Sequence, residues 1–371
     1  MNLPRLIRPL FCLLASAASL CAQTDTTATP FSDDEDDYSQ YENLSLADSK
    51  ARRYSNPKVL GLSPQRFISV GWDFQGPYDM QFSPVSVFAE GDPAPIEETR
   101  RARLTHGLRL SANIPIISRN SILWQLGGNW WDTRYQYDQT PENSYVAQLL
   151  SRNGLRTAGL NTTVFKPLNE TSFILFQGAA DLSGDYGILE FQPLRFLRYS
   201  GALVWGRRPH DRKQWGVGIA RTYRVGEMNY IPVFLFNYTS LNRKWGTEIL
   251  FPARAHYRRT FNPRSLLLAG YELEGQSYLL RETPGDFDGL RTIEIRRGEA
   301  RARIEYQRQL AGFIWIAAQL GYRYNWSFNA DYTADNGRDF FRGFFGNQTY
   351  AMLNQIGNPL YFQITFNLVS P

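Results

Sequence analysis

Glu299, Arg301, Arg303 and Glu305 stand at every second position of one segment, with Ala300, Ala302, Ile304 and Tyr306 between them. Successive strand side chains point to opposite faces, so this spacing puts a charged row on one face and an apolar row on the other. Carboxylates and guanidinium groups in such a row can line a passage and select ions. They can also pair across neighbouring strands and brace a wall. In phase with the polar positions of other segments stand Arg103, Arg109, Glu272, Glu274 and Arg323. A charge on the lipid face of a membrane strand costs about 2–4 kcal/mol at mid-depth. All of these residues are therefore expected to point inward, as candidate lumen lining. Acids and bases are well mixed among them, so mutual bracing of a narrow barrel is the leading reading. A selectivity lining with a slight preference for anions is the alternative.

Other chemistry is poorly represented. The only histidines are His106, His210 and His256. His106 is in phase with Leu104, Leu108 and Leu110 and should face lipid or the interface. His210 sits in the turn-like stretch Arg207-Arg208-Pro209-His210-Asp211, and His256 lies in phase with Arg254 and Arg258, as lumen packing would require. None stands beside a serine in a nucleophile setting, and no His, Asp or Glu spacing matches a metal site. Gly216-Val217-Gly218 is embedded in strand residues and is no phosphate loop. No catalytic residue, metal or cofactor is expected, and the chain is not read as an enzyme.

The elements that must position the charged rows are strands. From residue 66 onward, strand-like segments follow one another at short spacing, separated by turn signals. In 313–328, Ile314, Ile316, Ala318, Leu320, Tyr322, Tyr324, Trp326 and Phe328 take one face, while Gln319, Gly321, Arg323, Asn325 and Ser327 take the other. An Ile–Ala–Leu band running into Tyr, Tyr and Trp is the pattern of a lipid face meeting an aromatic girdle. The last segment repeats it, with Leu360, Phe362, Ile364, Phe366 and Leu368 assigned to lipid and Tyr361, Gln363, Thr365 and Asn367 to the lumen. It should pair with the first strand and close a ring.

The fold expected is all-β: a transmembrane antiparallel up-and-down β-barrel. Thirteen segments can be traced, among them 195–206, 214–225 and 245–258, yet single-chain bacterial barrels have an even number. Ser118–Asn120, Pro167–Glu170, Val225–Met228, Pro263–Arg264 and Leu310–Gly312 read as tight periplasmic turns. The stretches 76–99, 136–153, 280–291 and 329–357 read as long external loops. This assignment fails between 170 and 215, so about 12 strands are expected, with 14 as the alternative. Pro115, Pro232 and Pro252 are expected at strand ends or rim bulges.

Composition agrees with a barrel. Aromatics make up 15% of the 371 residues, and the mean hydropathy of -0.39 is no obstacle, because half of each barrel strand is polar. Residues 1–22 read as a signal peptide: Arg5 and Arg8 precede an apolar run from Leu10 to Leu20, with Leu20-Cys21-Ala22 as the cleavage site. The only cysteines, Cys12 and Cys21, fall within it, so the mature chain is expected to hold no disulfide. Residues 23–62 form an acidic lead-in, carrying the run Asp33 to Asp37, expected to be disordered in the periplasm. Its leading reading is a solubilising tail, and its sharper one an acidic plug entering a basic lumen. Residues 63–371 are the barrel. The net charge of +5 does not make a nucleic-acid binder, since the basic residues interleave with strand alternation instead of clustering.

Certain motifs add a resemblance. Trp215-Gly216-Val217-Gly218-Ile219, Tyr230-Ile231-Pro232-Val233, Lys244-Trp245-Gly246-Thr247-Glu248, Phe251-Pro252-Ala253-Arg254 and Gly270-Tyr271-Glu272-Leu273 are similar to a family of outer-membrane β-barrels known as a domain of unknown function. That family is distantly similar to phenol-degradation-pathway (MetA-type) transporter barrels. The resemblance covers roughly residues 60–371 and implies the barrel fold, with no activity or site residues to transfer. One departure is that the chain runs past Phe366 to Leu368-Val369-Ser370-Pro371 instead of ending on an aromatic.

The function expected is a passive channel or transporter for a small solute in the outer membrane of a Gram-negative cell, reached by signal-dependent export. A non-conducting structural or interaction barrel is the alternative. Membrane lipid and the barrel-insertion machinery are the expected partners, with a small solute as cargo and no nucleic acid. The cluster Phe340-Phe341-Arg342-Gly343-Phe344-Phe345 is too apolar for a free loop, and is expected to close the mouth or present a binding surface.

Overall fold

The structure, a computed structural model, describes residues 59–83, 97–187, 197–222, 229–280, 293–332, 350 and 352–369. The signal peptide, most of the acidic lead-in and the Phe340–Phe345 cluster lie outside the described residues. The strands are β1 (Arg66–Gln75), β2 (Tyr78–Phe82), β3 (Glu98–Arg119), β4 (Ile122–Tyr137), β5 (Leu155–Pro167), β6 (Ser172–Gly184), β7 (Arg198–His210) and β8 (Lys213–Thr222). They continue as β9 (Asn229–Thr239), β10 (Trp245–Phe251), β11 (Arg254–Asn262), β12 (Ser265–Leu280), β13 (Ile293–Ala311), β14 (Ile314–Tyr332), β15 (Gln355–Ile356) and β16 (Leu360–Val369). One helix, α1 (Tyr145–Arg152), lies between β4 and β5.

Sequential strands pair antiparallel, and β1 pairs with both β16 and β3, so the sheet closes on itself. The last strand meets the first as its alternation requires. β1 and β2 are one stave. Gln75 faces Thr105 and Tyr78 faces Ala102, an unbroken register along β3 that is interrupted only at Gly76 and Pro77. β15 and β16 are likewise one stave, in a single register against β1 and β2. Sixteen strands thus make a barrel of fourteen staves.

The alternative count is therefore the right one, and the miscount lies elsewhere than expected. Residues 245–258 are two strands, β10 and β11, joined by a hairpin at Pro252 and Ala253. Only two residues separate them, so the alternation reads through the turn. That hairpin restores the alternation of sides. Thr222 and Asn229, paired at the ends of β8 and β9, lie at the end of the long loops, and the periplasmic turn expected at Val225–Met228 is corrected. Short connections at 120–121, 168–171, 211–212, 240–244, 263–264 and 312–313 mark the inner end. The external loop expected from residue 76 begins later, because the stave continues to Phe82. Of the prolines, Pro115 sits at a register shift in β3, Pro252 forms a turn, and Pro232 pairs with Ile219 in an unshifted ladder.

The outside of the barrel is apolar. Val70, Ile114, Leu160, Leu203, Ile219, Ile304, Leu320 and Phe366 are all exposed, and Tyr322, Tyr324 and Trp326 continue the band toward the outer end. The described residues include no helix long and apolar enough to cross a membrane; the crossing is made by strands. Apolar side chains in this number on the outside of a closed ring fit hydrocarbon as the surrounding solvent. One expected member of the band does not join it. A register shift sets Gly298 against Ser327 and Glu299 against Asn325, leaving Trp326 bulged. The extra residue reverses the alternation, so Phe328 points inward and is buried.

Candidate functional site

The inner wall divides into stretches of different chemistry. On β1, β3 and β12–β14 the charged residues join in one continuous network. Arg323 donates to Glu299 at 2.6 Å and to Asp73. Glu299 accepts from Arg297 at 2.7 Å. Asp73 lies 3.5 Å from Arg109, which donates to Glu274 at 2.6 Å. Glu274 also pairs with Arg301 at 2.9 Å, and Glu272 with Arg303 at 2.8 Å. Glu305 pairs with Arg66 and lies 3.7 Å from Arg303. Tyr361 of β16 lies beneath two of the cations, its ring centre 4.8 Å from the Arg323 guanidinium carbon and 5.9 Å from that of Arg301.

Eight of the nine residues singled out from the sequence are thus brought together, and Asp73, Arg66 and Arg297 join them. Arg103 does not. A register shift between Ala102 and Leu104 turns Arg103 out of phase, and it is exposed. The local pattern of alternation holds no mark of such a bulge. The Arg109–Glu274 pair joins β3 to β12, strands that are not neighbours in the ring, so it spans the lumen as a brace. The histidines stay apart. His106 stacks on exposed Trp72 at 5.8 Å, His210 ends β7, and His256 is buried in the wall. Among the described residues no three potential metal ligands come together.

A second stretch, on β5–β10, is apolar inside as well as outside. Phe165, Phe173, Val204, Ile231, Val233 and Leu235 point inward and pack on one another, so they fill their side of the barrel. A third stretch, on β3–β6, is polar and rich in amides, with Asn113, Gln125, Asn129 and Asn161 on its inner face beside Asp181. Sequence reasoning passed over these amides because it followed charge. The signal was present: each alternates with outward residues such as Ile114, Leu126 and Leu160.

Together these walls line a cavity of about 620 Å³. Its floor is a strap, residues 59–65, that crosses the inner mouth before β1 begins. The Leu60 N–H donates to the Asp211 carbonyl at 2.8 Å, in the turn between β7 and β8. The Ser63 N–H and hydroxyl both donate to the Glu248 carboxylate, at 2.9 and 2.6 Å. Arg258, fully buried, holds the same carboxylate at 2.6 Å and Thr239 at 2.8 Å. Gly61 makes the turn into this clamp at φ +73°, and a Cβ there would press within 3.1 Å of Thr239, so glycine suits the position.

The outer end is narrowed and capped. Gly184 of β6 bridges Leu279 of β12 across the ring. A Cβ on Gly184 would come within 2.5 Å of the Leu279 carbonyl, which is why the approach needs glycine. Arg198 of β7 donates to Glu294 of β13 at 3.1 Å, a further tie between separated staves. Above the cavity, α1 is N-capped by Ser144, whose hydroxyl accepts from the Ala147 N–H at 3.3 Å. It buries Val146, Leu149 and Leu150 among Met80, Phe82, Leu280, Ile293, Ile295 and Phe328. Leu150→Ala is expected to loosen this cap by about 2–5 kcal/mol. The change would be read as faster amide exchange at 145–152, with the amides of β8–β10 unaffected.

No protein-family model matches the chain, and no curated protein does. Solved structures with similarity to it include the toluene transporter TodX of Pseudomonas putida, at 9% identity over 85% of this chain and 93% of that one, with a TM-score of 0.33. An outer membrane channel from Pseudomonas putida F1 is 9% identical over 84% and 98%, with a TM-score of 0.28. A bacterial polysaccharide outer membrane secretin is 7% identical over 83% and 100%, with a TM-score of 0.32. At such identities and scores the likeness carries nothing about cargo or mechanism.

Proposed function

We propose that this chain is a gated outer-membrane channel that passes a small solute by diffusion. The observation that carries this reading is the polar cavity of about 620 Å³ held between the strap and the apolar cap, inside a closed ring with a lipid-compatible exterior. A barrel with only a structural duty gains nothing from a hydrated chamber, because its lumen is more stable when side chains fill it. Scattered histidines and the absence of a nucleophile setting support a channel over an enzyme. The paired state of the charged network argues for bracing over ion selection, since each guanidinium in it already faces a carboxylate.

The strap is the element whose release would open the inner mouth, and Ser63 is its most direct handle. The Ser63 hydroxyl bond to a charged acceptor is worth about 1.5–3 kcal/mol. Ser63→Ala removes it without touching the buried Arg258–Glu248 pair. In planar bilayers the variant is expected to raise the open fraction about tenfold over the parent. Silence of both proteins across voltage and pH would overturn the channel reading. It would favour the non-conducting barrel, for which the occupied ends of the lumen are the specific support.

A further inference from the structure

The polar stretch of wall on β3–β6 is built as a row of hydrogen-bonding groups set beside glycines. Asn113 faces Gly127, and Gly127 faces Asn161, in adjacent strands. One step outward, Asn129 faces Gly159, and Gly159 faces Asp181. The two glycines leave room for the side chains of their neighbours. A Cβ on Gly127 would lie 2.3 Å from the Asn113 Oδ1 and 2.5 Å from the Asn161 Oδ1, so the two carboxamides converge over the glycine and occupy the space a side chain would take. Gly159 has the same relation to Asn129 and Asp181. The side-chain amides of Asn113, Gln125, Asn129 and Asn161 make no hydrogen bond to other described residues, and all four line the cavity.

Each carboxamide offers two donors and an acceptor in a plane, and so do pairs of neighbouring hydroxyls taken together. The wall facing them across the cavity is charged, and its carboxylates Glu272, Glu274 and Glu305 are each held by arginines. A cation would have to break a buried pair there to gain a carboxylate, and Arg254, which lines the cavity without an ion pair among the described residues, stands on β11, away from the amides. An apolar solute would strip water from the amides and give nothing back, at about 1–3 kcal/mol for each polar group left unsatisfied. A cavity of this size is within the range that holds small ligands.

We propose that the β3–β6 wall of the chamber binds uncharged polyhydroxyl solutes of mono- or disaccharide size on their way through the barrel. This rests on the channel reading and specifies its cargo. Such a wall selects by hydrogen bonding, with amides as its main partners and Asp181 beside them.

The test uses the full barrel in proteoliposomes, comparing swelling in glucose, sucrose and size-matched gluconate, with potassium chloride conductance recorded on the same preparations. Glucose is expected to enter several-fold faster than gluconate, with a rate that saturates as its concentration rises. The double variant Asn113→Leu/Asn161→Leu is expected to lower glucose entry about tenfold and leave salt conductance within twofold. Asn113→Ser/Asn161→Ser, which keeps hydroxyls on the wall, should recover part of it. The heat-induced gel shift of a folded barrel verifies that each variant is assembled. Equal glucose entry in the parent and the leucine variant, or a rate strictly proportional to concentration, would overturn the proposal while the channel stands. Absence of both swelling and conductance would instead bring down the channel reading. Calorimetric titration of the detergent-solubilised barrel with glucose then decides the site independently: heat lost in the leucine variant supports it, and no heat in the parent ends it.

Discussion

Arg323→Ala is expected to destabilise the barrel by about 3–5 kcal/mol, among the largest single losses the structure allows. The side chain is 1% exposed and serves Glu299 and Asp73 at once, with Tyr361 packed against its face. Truncation leaves two buried carboxylates without their shared cation, and breaking a buried pair from one side costs about that amount. Urea titration of the barrel in detergent micelles would read the change as a fall in the unfolding midpoint. Replacing the whole unit, as Arg323→Met and Arg297→Met with Asp73→Asn and Glu299→Gln, should recover most of it, because the cost comes from the unpaired charges and not from the missing bond, and Arg109 keeps Glu274. A loss below about 1 kcal/mol in the alanine variant would mean that water reaches these carboxylates and that the network is not a brace.

Leu320→Arg tests the outside of the same stave. Leu320 is 61% exposed and faces Ile304, itself exposed, on β13. On a surface bathed in water, exchanging an exposed leucine for arginine changes stability by about 0.5 kcal/mol or less. Against hydrocarbon at mid-depth it costs about 2–4 kcal/mol. Folding titrations into phospholipid vesicles should therefore show a loss in the upper range. Leu241→Arg, at a still more exposed leucine in an inner-end turn, should be nearly neutral. Equal, small effects at both sites would remove the lipid-facing assignment.

Much of this architecture was legible in the residues. The lipid band of β14 up to Trp326 and both faces of β16 follow from alternation, because strand side chains alternate whatever the partner strand is. The inward placement of Glu299, Arg301, Arg303 and Glu305 followed from the cost of putting charge in lipid. Where reading failed, a local irregularity was responsible. The hairpin at Pro252 and Ala253 is short enough for the alternation to pass through it. The bulges at Arg103 and Trp326 each insert a residue that shifts the phase, and nothing in the composition of those stretches marks the insertion.

The partners of the charged residues were beyond the reach of the sequence. Arg109 meets Glu274 at a separation of 165 residues, and Asp73 meets Arg323 at 250. These contacts exist only once the ring has closed with a particular stagger between staves. The same holds for the strap, whose Ser63 finds Glu248 across the inner mouth, and for the bridge from Gly184 to Leu279 that narrows the outer one. The sequence by itself determined the strand, its two faces and the sign of each face, since these depend on backbone geometry and on solvation of one residue at a time. Only the tertiary structure decided fourteen staves, a braced lumen and a strap across its inner mouth, since each is a property of which distant residues come to share one space.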